Sequence, residues 1–276
     1  DKKKLKDITK LSRMLDEILN RVPNKAAPYV GAAAFTHKAG LHASAIIKDP
    51  TTYEHIIPEE VGNVRVVPIS NQAGKSNLLK ILNESGISIK KDDDRLYKIL
   101  EEIKEKEDKG YAYDVAGASF EIFARKKLGI MPHFFSVNRY KVTMEKRQNF
   151  NRNFSIISEA VVSINLGKQE RVSVSESLDS NGQDQGPVHA LSAALRKDLG
   201  PYQSFIEDIK LVDFKVRIMN GGTEAITRVL IDSEDRNGIR WSTIGVSANI
   251  IDASYDAILD SINWKLLREK AVPISN

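Results

Sequence analysis

Five histidines, His37, His42, His55, His133 and His189, carry the protons of this chain that exchange near neutral pH, and they are the first candidates for acid–base work or metal ligation. Their spacing argues against a metal. No His-x-His occurs, and His37 and His42, five apart, miss the i, i+4 pair that suits zinc on a helix. The chain has no cysteine, which excludes a thiolate ligand, a disulfide framework and a cysteine nucleophile. No complete metal site and no bound cofactor are therefore expected. His42, between Leu41 and Ala43, fits either a satisfied structural histidine or an acid–base group. Tyr53 taken alone reads as a half-buried aromatic, and His37 as a local hydrogen-bond partner. The run Gln72-Ala73-Gly74-Lys75-Ser76 suggests a phosphate loop, but Ile69 stands where the first glycine of that pattern belongs, and the reading is set aside.

These candidates lie in a segment from Pro28 to Gly74 rich in small residues and turn formers, where loops that touch ligands concentrate. Helical patterns flank it. Ile8, Leu11, Leu15, Ile18 and Leu19 fall on one face of a helix predicted over Asp7 to Arg21, a face that needs a partner, and Pro23 closes it. Further helices are predicted over Ser76 to Ser85 with Gly86 as the stop, over the charged stretch Lys90 to Lys109, and over Ala116 to Leu128 with Gly129 as terminator.

Beyond Pro132 the period changes to two. Strands are predicted around Tyr140 to Met144, over Ile156 to Leu166 and over Arg171 to Leu178, followed by a helix opened by Gly186-Pro187 and ended by Gly200-Pro201. Three more strands follow, Ile209 to Met219, Ala225 to Ser233 and Trp241 to Ala248, and then a helix over Ile250 to Leu267. The expected fold class is α+β: small helical linker subdomains, then a pseudo-symmetric domain of two βββα units. Domain limits are set at 1–27 for the first helix, 28–135 for the linker and 136–276 for the pseudo-symmetric domain.

With 276 residues, 41% of them apolar, the chain can bury a substantial core. Its 41 basic residues are interleaved with 37 acidic ones, which speaks against nucleic acid as a partner; the basic stretch Arg139, Lys141, Lys146, Arg147 and Arg152 reads as a solvated strand face. No apolar run is long enough to cross a membrane, and the start, Asp1-Lys2-Lys3-Lys4, lacks an initiator Met and a signal-peptide core. The expectation is a soluble, cytoplasmic chain excised from something longer.

The run Ala34-Phe35-Thr36-His37-Lys38-Ala39-Gly40-Leu41-His42-Ala43-Ser44-Ala45, with Asp49-Pro50-Thr51-Thr52-Tyr53-Glu54 and Pro58-Glu59-Glu60-Val61-Gly62, resembles the segment that follows the barrel in the citramalate and 2-isopropylmalate synthase family. Gly186-Pro187-Val188-His189-Ala190-Leu191, Leu211 to Ile218, Gly222-Thr223-Glu224-Ala225 and Gly245 to Ser254 resemble its LeuA-type regulatory domain. The His42-Ala-Ser-Ala pattern, the run ending at Glu54 and Asn77-Leu78-Leu79 are closer to the citramalate branch, whereas Ala73 and Lys75 depart from the family's Ser-Gly-Arg.

What the resemblance implies is the C-terminal half of an acyltransferase, without its TIM barrel, inactive alone. The whole enzyme condenses acetyl-CoA with pyruvate in isoleucine biosynthesis; the leucine-pathway branch uses 2-oxoisovalerate. Both need a divalent metal in the barrel. By motif, His42 matches a position contributed across a homodimer to the partner's active site, and Tyr53 a polar position beside it. Gly186, Val188, Phe214, Ile218, Thr223, Ala225 and Ala248 match the pocket for a branched-chain effector, isoleucine or leucine; alternatively they pack helix on sheet. A stand-alone amino-acid sensor and a plain dimerisation domain are the competing readings.

Overall fold

The computed structural model describes residues 2–19, 24–37, 42, 45, 46, 48–66, 75–148, 154–179, 186–219 and 225–274. The chain divides into two compact units, Asp1–Glu105 and Lys106–Asn276. That division differs from the limit expected near residue 135, because the helix after Lys106 packs on the second sheet and its covering helix.

In the first unit, α1 (Lys2–Leu5) and α2 (Ile8–Ile18) precede the loop segment. The apolar face of α2 is exposed among the described residues, Ile18 at 72%. Thr9, on its other side, is buried and donates its hydroxyl to the Val61 carbonyl at 2.6 Å. Helix α3 (Lys75–Glu84) buries Leu78 and Leu82 and stops at Gly86, whose φ of 71° is the left-handed value that favours glycine. Helix α4 (Arg95–Asp108) buries Leu96, Ile99 and Ile103. It starts five residues later than the charge pattern predicts, since the Asp93 carboxylate accepts the Arg95 N–H at 2.9 Å and diverts the chain before it.

The second unit opens with α5 (Gly117–Leu128), then β1 (Ser136–Gln148), β2 (Phe154–Leu166) and β3 (Gln169–Asp179), an antiparallel sheet in the order β1-β2-β3. Helix α6 (Pro187–Lys197) lies on β2 and β3. After the short α7 (Gln203–Ile206), β4 (Lys210–Ile218), β5 (Thr227–Glu234) and β6 (Arg240–Ser247) form the second antiparallel sheet. Helix α8 (Ile250–Arg268) covers β5 and β6, completing the two βββα repeats.

Alternation decides which face each sheet buries. Ala160, Val162 and Ile164 of β2 point to the core with Ala190, Leu191, Ala194 and Leu195 of α6. Val229, Ile231 and Trp241 do the same beneath Ala253, Ala257, Ile258 and Ile262 of α8, and both halves share one continuous core. Gly245 permits the close approach of β6 to α8: a Cβ there would lie 1.8 Å from the Ala253 carbonyl oxygen. Arg139, Lys141, Lys146 and Arg147 are exposed along β1; Arg152 lies outside the described residues.

Candidate functional site

In the first unit the chain returns on itself through a parallel bridge between Thr36 and Val66. The His37 N–H reaches the Val66 carbonyl at 2.9 Å, and the Val66 N–H reaches the Phe35 carbonyl at 3.0 Å. This pairing brings His37 and Arg65 to the same carboxylate. Arg65 donates from Nε to Glu54 Oε1 at 2.8 Å and from Nη2 to Oε2 at 2.5 Å, and His37 Nε2 lies 2.9 Å from Oε1. The Arg65 hydrogen bonds outweigh burial and hold the Glu54 carboxyl below the usual glutamate range, with His37 adding to the effect. An ionised carboxylate only accepts, so His37 Nε2 carries the proton it shares.

Tyr53, directly before Glu54, ends a 3₁₀ turn over Pro50–Thr52 that Asp49 caps by accepting the Thr51 N–H at 3.0 Å. Its ring meets the ring of His42 with centroids 4.2 Å apart and planes 33° off parallel. His42 is exposed and Tyr53 is 46% exposed, so an imidazole and a phenol sit together where an outside group can reach both. The structure thus joins the two residues that the motif singles out. His55 lines a separate cavity of about 740 Å³ with Leu5, Lys6, Ile8, Tyr29, Ile56, Glu60 and Val61. Among the described residues no group of three or more His, Asp or Glu side chains could hold a metal ion.

The positions matched to an effector pocket fall in two groups. Gly186 caps the start of α6 with its carbonyl 3.4 Å from the Ser177 hydroxyl, and Val188 follows in the first turn, partly buried against the core. Ile218, 66% exposed, pairs with Thr227, which pairs with Ser247; Ile218, Ala225 and the exposed Ala248 therefore share one end of the second sheet. Phe214 lies further along β4 and packs against the core. Thr223 lies outside the described residues.

Sequence reasoning assigned no role to the elements that tie residues 106–128 to the second unit. Ser119 of α5 accepts the Ile244 N–H of β6 at 3.0 Å and donates to Asp260 of α8; Lys126 lies 3.5 Å from the same carboxylate. Lys106 sits over the Tyr111 ring at 4.2 Å. Burial, opposed by Lys126 and Ser119, pushes the Asp260 carboxyl up to about 6, and burial and the charge of Asp252 also raise Asp256 beside it. No local pattern signals this, because a partly buried aspartate looks like any helix-surface acid in sequence.

A carboxyl at about 6 in the folded chain against an ordinary 3.8 costs about 3 kcal/mol when ionised. The folded pKa is raised, so this contribution favours folding fully below pH 3.8 and is lost as pH rises through 6. Asp260→Asn is accordingly expected to stabilise the second unit at pH 7.5 by up to about 3 kcal/mol in urea denaturation. The gain should fade as pH falls from 6 towards 4; a constant difference across that window would count against the buried charge.

The fold defines a class: a small helical unit followed by a pseudo-symmetric double βββα unit. The family described as LeuA allosteric (dimerisation) domain matches residues 114–266, and the one described as homocitrate synthase post-HMGL domain-like matches residues 29–111. The chain belongs to the LeuA allosteric (dimerisation) domain family. It is 41% identical to an (R)-citramalate synthase of Geobacter sulfurreducens over 270 residues, 97% of this chain and 49% of that protein. Against an (R)-citramalate synthase of Aquifex aeolicus it is 41% identical over 268 residues, 96% of this chain and 49% of the other. A probable 2-isopropylmalate synthase of Archaeoglobus fulgidus is 29% identical over 245 residues, 88% of this chain and 44% of that protein. The chain spans about half the length of the curated relatives it matches.

Proposed function

We propose that the chain is the C-terminal, regulatory part of an (R)-citramalate synthase, a cytoplasmic homodimeric acyltransferase that joins pyruvate to the acetyl group of acetyl-CoA and is controlled by isoleucine. The alignment of citramalate synthases along 96 to 97% of the chain carries this reading. Relatives described as (R)-citramalate synthases reach 41% identity against 29% for the probable 2-isopropylmalate synthase, which supports the citramalate branch. No helix among the described residues is long and apolar enough to cross a membrane.

The reaction removes a proton from the acetyl methyl group, adds the resulting enolate to the 2-oxo carbon and hydrolyses the thioester. His42 takes or returns the proton, its imidazole being exposed to an outside group. Tyr53, its ring tilted against that of His42, donates its hydroxyl to the oxygen on which charge develops. Both act on a partner's active site, which is why the chain is inactive alone. The second unit binds the effector between two copies, with Ile218, Ala225 and Ala248 at the exposed end of the second sheet supplying the apolar wall. Effector binding there and substrate binding at the active site are coupled, each changing the other's affinity by the same factor.

Titration of the chain with isoleucine, leucine and valine by calorimetry, beside sedimentation velocity, tests this. Saturable binding with isoleucine favoured by about 10-fold is expected, the discrimination one misplaced methyl group supports. A leucine preference would move the assignment to the 2-isopropylmalate branch. A folded dimer that binds none of the three would leave dimerisation as the function of this part.

A further inference from the structure

We propose that Glu54 is a positioning residue for the acid–base pair: its carboxylate, clamped between His37 and Arg65, sets the spacing of the His42 and Tyr53 rings. This deepens the acid–base reading above and rests on it for its catalytic consequence. The Glu54 side chain is only 4% exposed, and a carboxylate so buried persists only where cations and donors satisfy it. Here three donors do, the Arg65 fork and the His37 ring.

The two donor side chains come from segments registered by the Thr36 to Val66 bridge, so the clamp fixes Glu54 to a paired backbone. Two short stretches of chain connect it to the reacting groups. Tyr53 is its immediate neighbour, in a turn closed at the other end by Asp49, and the Glu54 N–H itself returns to the Pro50 carbonyl at 3.0 Å. His42 follows His37 by five residues. The Tyr53 ring is half exposed, so few side chains besides His42 hold it and the turn that carries it matters the more. Loss of the clamp should release both rings together.

The test is Glu54→Gln, which keeps the shape and removes the charge. In the whole chain, the nuclear Overhauser contact between the His42 and Tyr53 rings is expected to vanish. With the chain joined to the N-terminal half of a citramalate synthase, kcat should fall about 100-fold, the cost of misplacing a catalytic group by about an ångström. The KM for pyruvate should change less than roughly threefold, since ground-state binding is untouched. This split of kcat from KM is a readout that general unfolding, which lowers the amount of competent enzyme and disturbs binding as well, would not reproduce.

Arg65→Lys, which keeps the charge but not the fork, should lie between wild type and Glu54→Gln, and it carries the same readouts if the first variant fails to fold. Rings still in contact in both variants would overturn the positioning role, whatever happens to turnover. Rings that separate with kcat unchanged would instead sink the catalytic role of His42.

Discussion

Replacing His42 with alanine is expected to lower kcat by about 10³-fold when the chain is joined to the N-terminal half of a citramalate synthase, with folding and effector binding unchanged. The side chain is exposed and its ring lies against that of Tyr53, so its loss removes a proton carrier without opening the core. General acid–base groups supply about 10² to 10⁴ in rate. Tyr53→Phe keeps the ring contact and removes only the hydroxyl, and it should cost about 10-fold less than the His42 substitution because solvent can replace one donor in a half-exposed site. The measurement is coenzyme A release from acetyl-CoA as a function of pyruvate. Undiminished turnover in His42→Ala would remove the chain from the chemistry and leave it a sensor or a dimerisation part.

The largest expected effect on stability is at Lys265. Its side chain is 2% exposed, and its ammonium group bonds Asp235 at 2.8 Å and Glu269 at 2.9 Å, with Asp208 at 3.5 Å. Burial opposes its charge, yet the hydrogen bonds to Asp235 and Glu269 and the charge of Asp208 prevail, and its pKa is raised. Burial likewise opposes the charge on Asp235, but Lys265 and the Ile239 and Asn237 N–H groups hold its carboxyl below the usual range. Lys265→Met leaves that carboxylate, at 0% side-chain exposure, without its cation. A cost of about 3 to 5 kcal/mol is expected in urea denaturation at pH 7.

The sign with pH follows from the same pair. A depressed Asp235 pKa contributes stability above its unfolded value and loses it as pH falls through the folded one, so the wild type should weaken on acidification and Lys265→Met should weaken less. Adding Asp235→Asn to Lys265→Met should recover most of the loss, because the uncompensated charge is gone. A double variant no better than the single one would assign the cost to packing of the lysine stem instead.

The periodic elements were legible because their signals are local. Leu78 and Leu82, or Val229 and Ile231, declare helix or strand by spacing alone, and Gly86 and Gly129 mark helix ends by the left-handed backbone they permit. The two βββα repeats follow from the order of such elements. Short features were not legible: the 3₁₀ turn before Tyr53 and the later start of α4 at Arg95 depend on single aspartate side chains accepting backbone N–H groups. The placement of α5 with the second unit turns on Ser119 meeting a strand 125 residues away, which no window of sequence can hold.

By itself, then, the sequence determined the α+β class, the repeat of three strands and a helix, and the segment in which His42 and Tyr53 lie, since each rests on the pattern of neighbouring residues, though His42 there is helical and not in a loop. Only the tertiary structure decided that those two rings touch, that Glu54 is clamped by partners 17 and 11 residues away, and that Lys265 neutralises an aspartate 30 residues earlier. Buried charge makes the difference: a carboxylate's role is set by which cations the register of distant segments brings to it, and that register is a property of the folded chain.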